Sequence, residues 1–170
     1  KLIANDAMKL SMFIKDNRDE DSVSLPLQLF AKADLAIFNK QYDLAFQYLD
    51  SASNVNAWSV IEDDALMRKA EILVKKHKYK EADSVLSIIG EKYSDEMLAD
   101  EALFTRAYIN EAFLNDNTLA EELYMKVVLD YPDSIFAIAA RDNYRRLRGD
   151  ENVRTIDPND EIIYVPIFKK

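Results

Sequence analysis

His77 is the single histidine of the 170-residue chain, and it stands among Lys75, Lys76, Lys78 and Lys80. Imidazole is the side chain best suited to proton transfer near neutral pH, but a working base needs an oriented partner in a pocket. Cations on either side disfavour both a protonated ring and a bound metal ion. The position therefore reads as a solvated turn. Carboxylates cluster at Glu62-Asp63-Asp64 and Glu121-Glu122, each where a helix is expected to begin, and negative charge in a first turn is favoured by the helix dipole. Neither cluster needs a catalytic role. The oxygen-rich runs Asp16 to Asp21 and Asp157-Pro158-Asn159-Asp160-Glu161 lack the alternating ligands and turn glycine of a calcium loop. Arg141, Arg145 and Arg148 share one face of a helix, with Arg146 beside them, a set suited to an acidic partner or to a lipid phosphate. Basic residues also meet the partial negative charge at a helix C-terminus, which is enough to explain them. The tripeptide Arg148-Gly149-Asp150 matches an integrin signal, but Gly149 is already explained as a helix terminator.

No Gly-rich phosphate loop, nucleophile elbow or zinc-type histidine pair occurs, so the expected protein is not an enzyme and takes no cofactor or metal. Zero Cys excludes a thiolate centre and a disulfide framework. A formal net charge of -9 repels polyphosphates, which argues against general nucleic-acid binding. No apolar run approaches the ~18 residues of a membrane span, so no transmembrane segment is expected. A signal peptide is not recognised, and the opening at Lys1 instead of Met is expected of a chain from which upstream sequence was removed.

The elements that position these residues are helices. Only 2 Gly and 4 Pro, with 49% apolar residues, favour an all-α chain. Leu29, Leu66 and Leu103 are 37 residues apart, and so are Ala33, Ala70 and Ala107, the mark of a stacked array of helix pairs. Apolar periodicity places the pairs at about 25–54, 59–94 and 98–132, each an antiparallel hairpin, with a capping helix over 134–148 started by Ser134. The second helices carry Tyr42, Ala45, Leu49 and Ala52, then Tyr79, Ala82, Leu86 and Ile89, then Thr118, Ala120, Tyr124 and Val127, with the third copy holding one extra residue in its turn at Asn115-Asp116-Asn117. A helix over 2–16, with Met8 in register with Ala45 and Met12 with Leu49, reads as the second half of an earlier pair. About eight helices result. They form one repeat domain over 1–149, followed by an extended tail over 150–170.

With small residues in the first helices, an aromatic and Ala opening the second, and Tyr131-Pro132 after the last, the chain resembles the tetratricopeptide repeat (TPR) family over about 25–148. The spacing is 37 or 38 where the family has 34, so each linker is longer. Ser94 stands where Pro132 stands in the next copy. The stretch from Leu98 through Ser134 to Arg141 is similar to the bacterial periplasmic YbgF/BamD-like subgroup. The resemblance implies a right-handed α-solenoid that works as a protein-protein interaction scaffold. It implies the C-terminal segment of a larger cell-envelope protein, periplasmic or outer-membrane-associated, with a cytoplasmic place as the alternative.

In such arrays the first helices line a concave groove. In this register the groove positions are Leu27, Phe30, Asp34, Ile37, Phe38, Asp64, Met67, Glu71, Val74, Lys75, Glu101, Phe104, Tyr108 and Glu111. The partner-binding candidates among them are Asp34, Ile37, Phe38, Glu71, Lys75, Tyr108 and Glu111, a mixed apolar and acidic surface suited to a protein or peptide with apolar anchors and basic residues. Phe30, Met67 and Phe104 read equally well as core between repeats. The β-prone tail residues Ile162, Ile163, Tyr164, Val165, Ile167 and Phe168 are expected either to dock on the array or to add a strand to a partner. A small-molecule or glycan-binding domain, with its ligand stacked on groove aromatics and reported by Trp58 or tyrosine fluorescence, and the targeting module of a larger enzyme are the competing functions.

Overall fold

The computed structural model describes residues 8, 11, 12, 14, 15, 25–55 and 61–150. Among them stand seven α-helices and no strand: α1 Leu25–Phe38, α2 Tyr42–Ser53, α3 Glu62–Lys75, α4 Tyr79–Lys92, α5 Ala99–Ile109, α6 Asn117–Asp130 and α7 Ala137–Leu147. A π-helical turn, Asn110–Leu114, continues α5. Of the expected helix over 2–16, Met8, Ser11, Met12, Ile14 and Lys15 are helical and exposed, and its other residues lie outside the described residues. The same is true of 151–170, of the two oxygen-rich runs and of Trp58.

The chain divides into two compact units, Lys1–Ala65 and Leu66–Lys170, with the boundary inside α3. In the first unit, α1 and α2 pack on each other. Phe30, Ala33 and Ala36 of α1 and Ala45, Leu49 and Ala52 of α2 are buried. Alanine at these sites lets two helix backbones approach closely, while Phe30 and Leu49 supply apolar bulk. In the second unit each helix from α4 packs on the next, α4 on α5, α5 on α6 and α6 on α7. Its centre is Phe104, whose ring meets Tyr124 edge-on at 5.5 Å and stacks on Phe136 at 5.2 Å. The groove reading and the core reading of Phe30, Met67 and Phe104 are thereby separated: all three are buried.

One device ends the first helices. After α1, Lys40 takes a left-handed backbone (φ 59°), its N–H donates to Ile37 O at 2.9 Å, and the next N–H, of Gln41, donates to Ala36 O at 2.8 Å. After α3, His77 (φ 58°) donates to Val74 O at 2.9 Å and Lys78 donates to Leu73 O at 2.8 Å. After α7, Gly149 (φ 78°) and Asp150 repeat the pattern on Arg146 and Arg145. This motif returns the last carbonyls of a helix to backbone donors and reverses the chain.

The third copy shows where its extra residue sits. Asn115 is again left-handed (φ 57°), but the bond behind it runs from Asp116 N–H to Asn110 O at 2.9 Å, one residue wider than after α1 and α3. The insertion is therefore absorbed inside the helix as the π turn Asn110–Leu114 and not in the loop, as the sequence suggested. Widening one helical turn accommodates the extra residue while its carbonyls stay bonded. Consequently Asn117, not Thr118, corresponds to Tyr42 and Tyr79. Asp116 caps α6 through a 3.0 Å bond from Leu119 N–H to its carboxylate.

The turns between pairs also repeat. Glu96 N–H donates to Tyr93 O and Ala99 N–H to Glu96 O; 38 residues on, Ser134 N–H donates to Tyr131 O and Ala137 N–H to Ser134 O, all within 3.0 to 3.1 Å. Pro132 suits its turn because its fixed φ matches the second position, and Ser94 fills that place without it. The two turns are tied directly, Tyr131 hydroxyl donating to Ser94 O at 2.8 Å. Ser134 does not cap α7, which begins at Ala137. Its Oγ accepts from Phe136 N–H at 3.0 Å and donates to Asp100 Oδ2 at 2.6 Å, so it joins that turn to the start of α5.

Candidate partner-binding surface

In the first unit, Asp34, Ile37 and Phe38 lie on the last turns of α1. Asp34 and Ile37 are half-buried, while Phe38 is 83% exposed. Leu35, one turn back from Phe38, is 61% exposed, so the two make a bare apolar strip. Periodicity missed Leu35 because α1 carries apolar residues nearly all the way round, which hides the face that is left open.

In the second unit, Glu71 of α3 is half-buried and ion-paired with Arg68 at 2.9 Å, and Lys75, at the end of that helix, is exposed. Tyr108 of α5 meets Phe113 edge-on at 6.0 Å, and Phe113 stacks on Tyr79 at 4.0 Å. The Tyr79 hydroxyl lies 2.9 Å from His77 Nδ1. His77 through Glu81 and Leu114 line a shallow cleft of about 260 Å³ beside this aromatic row. His77 is thus an exposed turn residue, as expected, and its left-handed backbone is the larger fact about it.

Glu111 sits in the π turn, and its carboxylate is held from two sides. Tyr124 hydroxyl donates to Oε2 at 3.0 Å, and Arg146 of α7 donates to Oε1. Tyr124 is fully buried, and burial first, then the Glu111 charge, push its phenol well above the ordinary tyrosine range. It stays neutral and acts as a donor. A second polar knot joins α4 to α5: Arg106 Nε donates to Asp83 Oδ1 at 2.9 Å, and the buried Asn110 donates to the same oxygen at 2.6 Å and to Arg106 O at 2.9 Å. Sequence periodicity shows neither knot, because each depends on which way a side chain leaves its helix at the end of α5.

Glu62, Asp63 and Asp64 occupy the first turn of α3 as expected. Glu121 and Glu122 do not, since α6 starts earlier, at Asn117. No group of three or more His, Asp or Glu side chains among the described residues is arranged to hold a metal ion, and none of their helices is long and apolar enough to cross a membrane. Compared with known proteins, the chain matches no family model and no curated sequence.

Proposed function

We propose that this protein is a non-enzymatic, TPR-like scaffold that holds a protein or peptide partner on its first helices, within a bacterial envelope assembly. The observation that carries the reading is Phe38, a large aromatic left 83% exposed at the end of a helix whose other face is already packed. Exposed aromatics beside an open leucine are the material of interface anchors. Asp34 is half-buried beside this strip, and in the second unit Lys75 is exposed and Tyr108 half-buried, a mixed surface that suits a partner carrying apolar anchors and some basic residues. The helix-pair caps and turns that recur at 37 and 38 residues support a repeat array. Right-handed winding rests on the repeat-family resemblance over about 25–148, and the envelope location on that of the 98–141 stretch.

The test is quantitative affinity purification from source cells with the wild-type chain and with Phe38→Ser and Tyr108→Ser variants. A partner retained by the wild type and lost from both variants supports the proposal. Identical partner profiles for all three would remove the first-helix surface from consideration.

A further inference from the structure

We propose that the turns between helix pairs in the second unit form a docking edge for a basic, apolar segment of a partner protein, with Met97, Ile135 and Ile138 taking its apolar side chains and Asp95 and Asp133 its cations. In this unit the large apolar side chains left exposed among the described residues are Met97 at 72%, Leu129 at 65%, Ile135 at 86% and Ile138 at 67%. They are not scattered. Leu129 lies in the last turn of α6, Met97 and Ile135 in the turns before α5 and α7, and Ile138 in the first turn of α7. Exposed large apolar residues gathered in this way mark an interaction surface.

The two turns carry the same pair of side chains. Met97 and Ile135 are 38 residues apart, as are Asp95 and Asp133, in turns closed by matching backbone bonds. The turns are tied to each other, Tyr131 hydroxyl donating to Ser94 O at 2.8 Å, and Ser134 Oγ donates to Asp100 Oδ2 at 2.6 Å. One segment laid across both turns therefore meets an acid and an apolar side chain twice. Charge decides what that segment carries. Asp95, Glu96, Asp130 and Asp133 are exposed, and among the described residues no cation pairs with any of them. Residues 93–98 and 131–136 contain no Lys, Arg or His, and the nearest cations in sequence, Lys92 and Arg141, stand outside the turns. Tyr131 registers the resulting field: burial first, then the charges of Asp130, Asp100 and Asp95, hold its phenol above the ordinary tyrosine range. Such a rim repels anionic lipid headgroups and nucleic acid, and a second copy would set its own carboxylates against it. A basic partner is the complement. The edge shares no residue with the first-helix surface, and the inference does not rest on that reading.

The test is fluorescence anisotropy of a labelled octapeptide of alternating lysine and leucine, titrated with the full-length chain. Saturation is expected with a midpoint below about 1 mM. Met97→Ser with Ile135→Ser, and separately Asp95→Lys with Asp133→Lys, should each weaken binding at least about ten-fold, since the first pair removes the apolar contacts and the second turns attraction into repulsion. Glu121→Lys with Glu122→Lys, the same charge change elsewhere on the unit, and Phe38→Ser should each change it less than about two-fold. The Asp95→Lys, Asp133→Lys chain should instead take a peptide of alternating glutamate and leucine, an exchange of preference that only a folded edge can make. Absence of saturation, losses as large from Glu121→Lys with Glu122→Lys or from Phe38→Ser, or no exchange of preference would overturn the proposal. So would finding that Met97→Ser with Ile135→Ser dissolves a dimer or releases the chain from phosphatidylserine vesicles, because a second copy or a membrane would then be the occupant.

Discussion

Replacing Tyr124 by Phe removes one oxygen atom from the centre of the second unit and leaves the packing of its ring intact. The lost bond runs from a fully buried phenol to the Glu111 carboxylate, and Arg146 remains on the other carboxylate oxygen. Hydrogen bonds to charged groups contribute about 1.5–3 kcal/mol. Because Glu111 keeps its cation, the lower part of that range applies, and the Tyr124→Phe chain should be less stable by about 1.5–2 kcal/mol at pH 7. The pH dependence separates this account from simple packing loss. The folded-state pKa of Tyr124 is raised above the unfolded value, so the contribution is fully present below about pH 10 and is lost as the unfolded phenol ionises above it. By pH 11 the wild type should have given up about 1.4 kcal/mol that the variant does not lose. Urea unfolding of both chains at pH 7, 10 and 11 measures the gap; the other tyrosines are common to both and cancel. A gap that stays constant from pH 7 to pH 11 would show that Tyr124 titrates alike folded and unfolded, and the placing of its phenol in a buried site beside the Glu111 charge would be wrong.

Other substitutions probe the caps, the second knot and the open surface. His77→Gly and Lys40→Gly should each stabilise the chain by about 0.5–1 kcal/mol, because both residues sit at left-handed φ that costs an L side chain, while Gly149→Ala should destabilise it by about 1 kcal/mol; chemical denaturation reads all three. Asp83→Ala strips the shared acceptor from Arg106 and the buried Asn110 and should cost about 1–3 kcal/mol, with faster amide exchange at the α4–α5 junction. Phe38→Ser should change stability by no more than about 0.5 kcal/mol, whereas Phe104→Ala should cost about 3–5 kcal/mol, a contrast that one pair of unfolding curves checks.

Sequence periodicity located the helices because each buries one stripe, and alanines at 37-residue spacing marked core positions at Ala33, Ala70 and Ala107, all fully buried. It placed the turn at His77 correctly but could not show that His77 and Lys40 adopt a left-handed backbone, since neither is Gly or Asn. The extra residue of the third copy was legible as a count and not as a place: hydrophobic spacing is blind to whether a turn or a helix absorbs an insertion, and the π turn is decided by carbonyl bonding. Glu111 shows the same limit. Its register set it among the groove positions, yet a widened helical turn brings its carboxylate to Tyr124 and Arg146. Side-chain exposure was the least legible property, and Leu35, Ile135 and Ile138 were visible only once the neighbouring helices were in place.

The central claim is that first-helix residues, Phe38 in the first unit and Lys75 and Tyr108 in the second, contact a protein partner. Photoreactive amino acids placed one at a time at Phe38, Lys75 and Tyr108, and at the exposed positions Asp50, Ser84 and Lys126 on the second helices, test it in living source cells. The account predicts discrete adducts of the same protein at the first three positions and none at the others. Adducts only at the second-helix positions, or an even spread over all six, would contradict it.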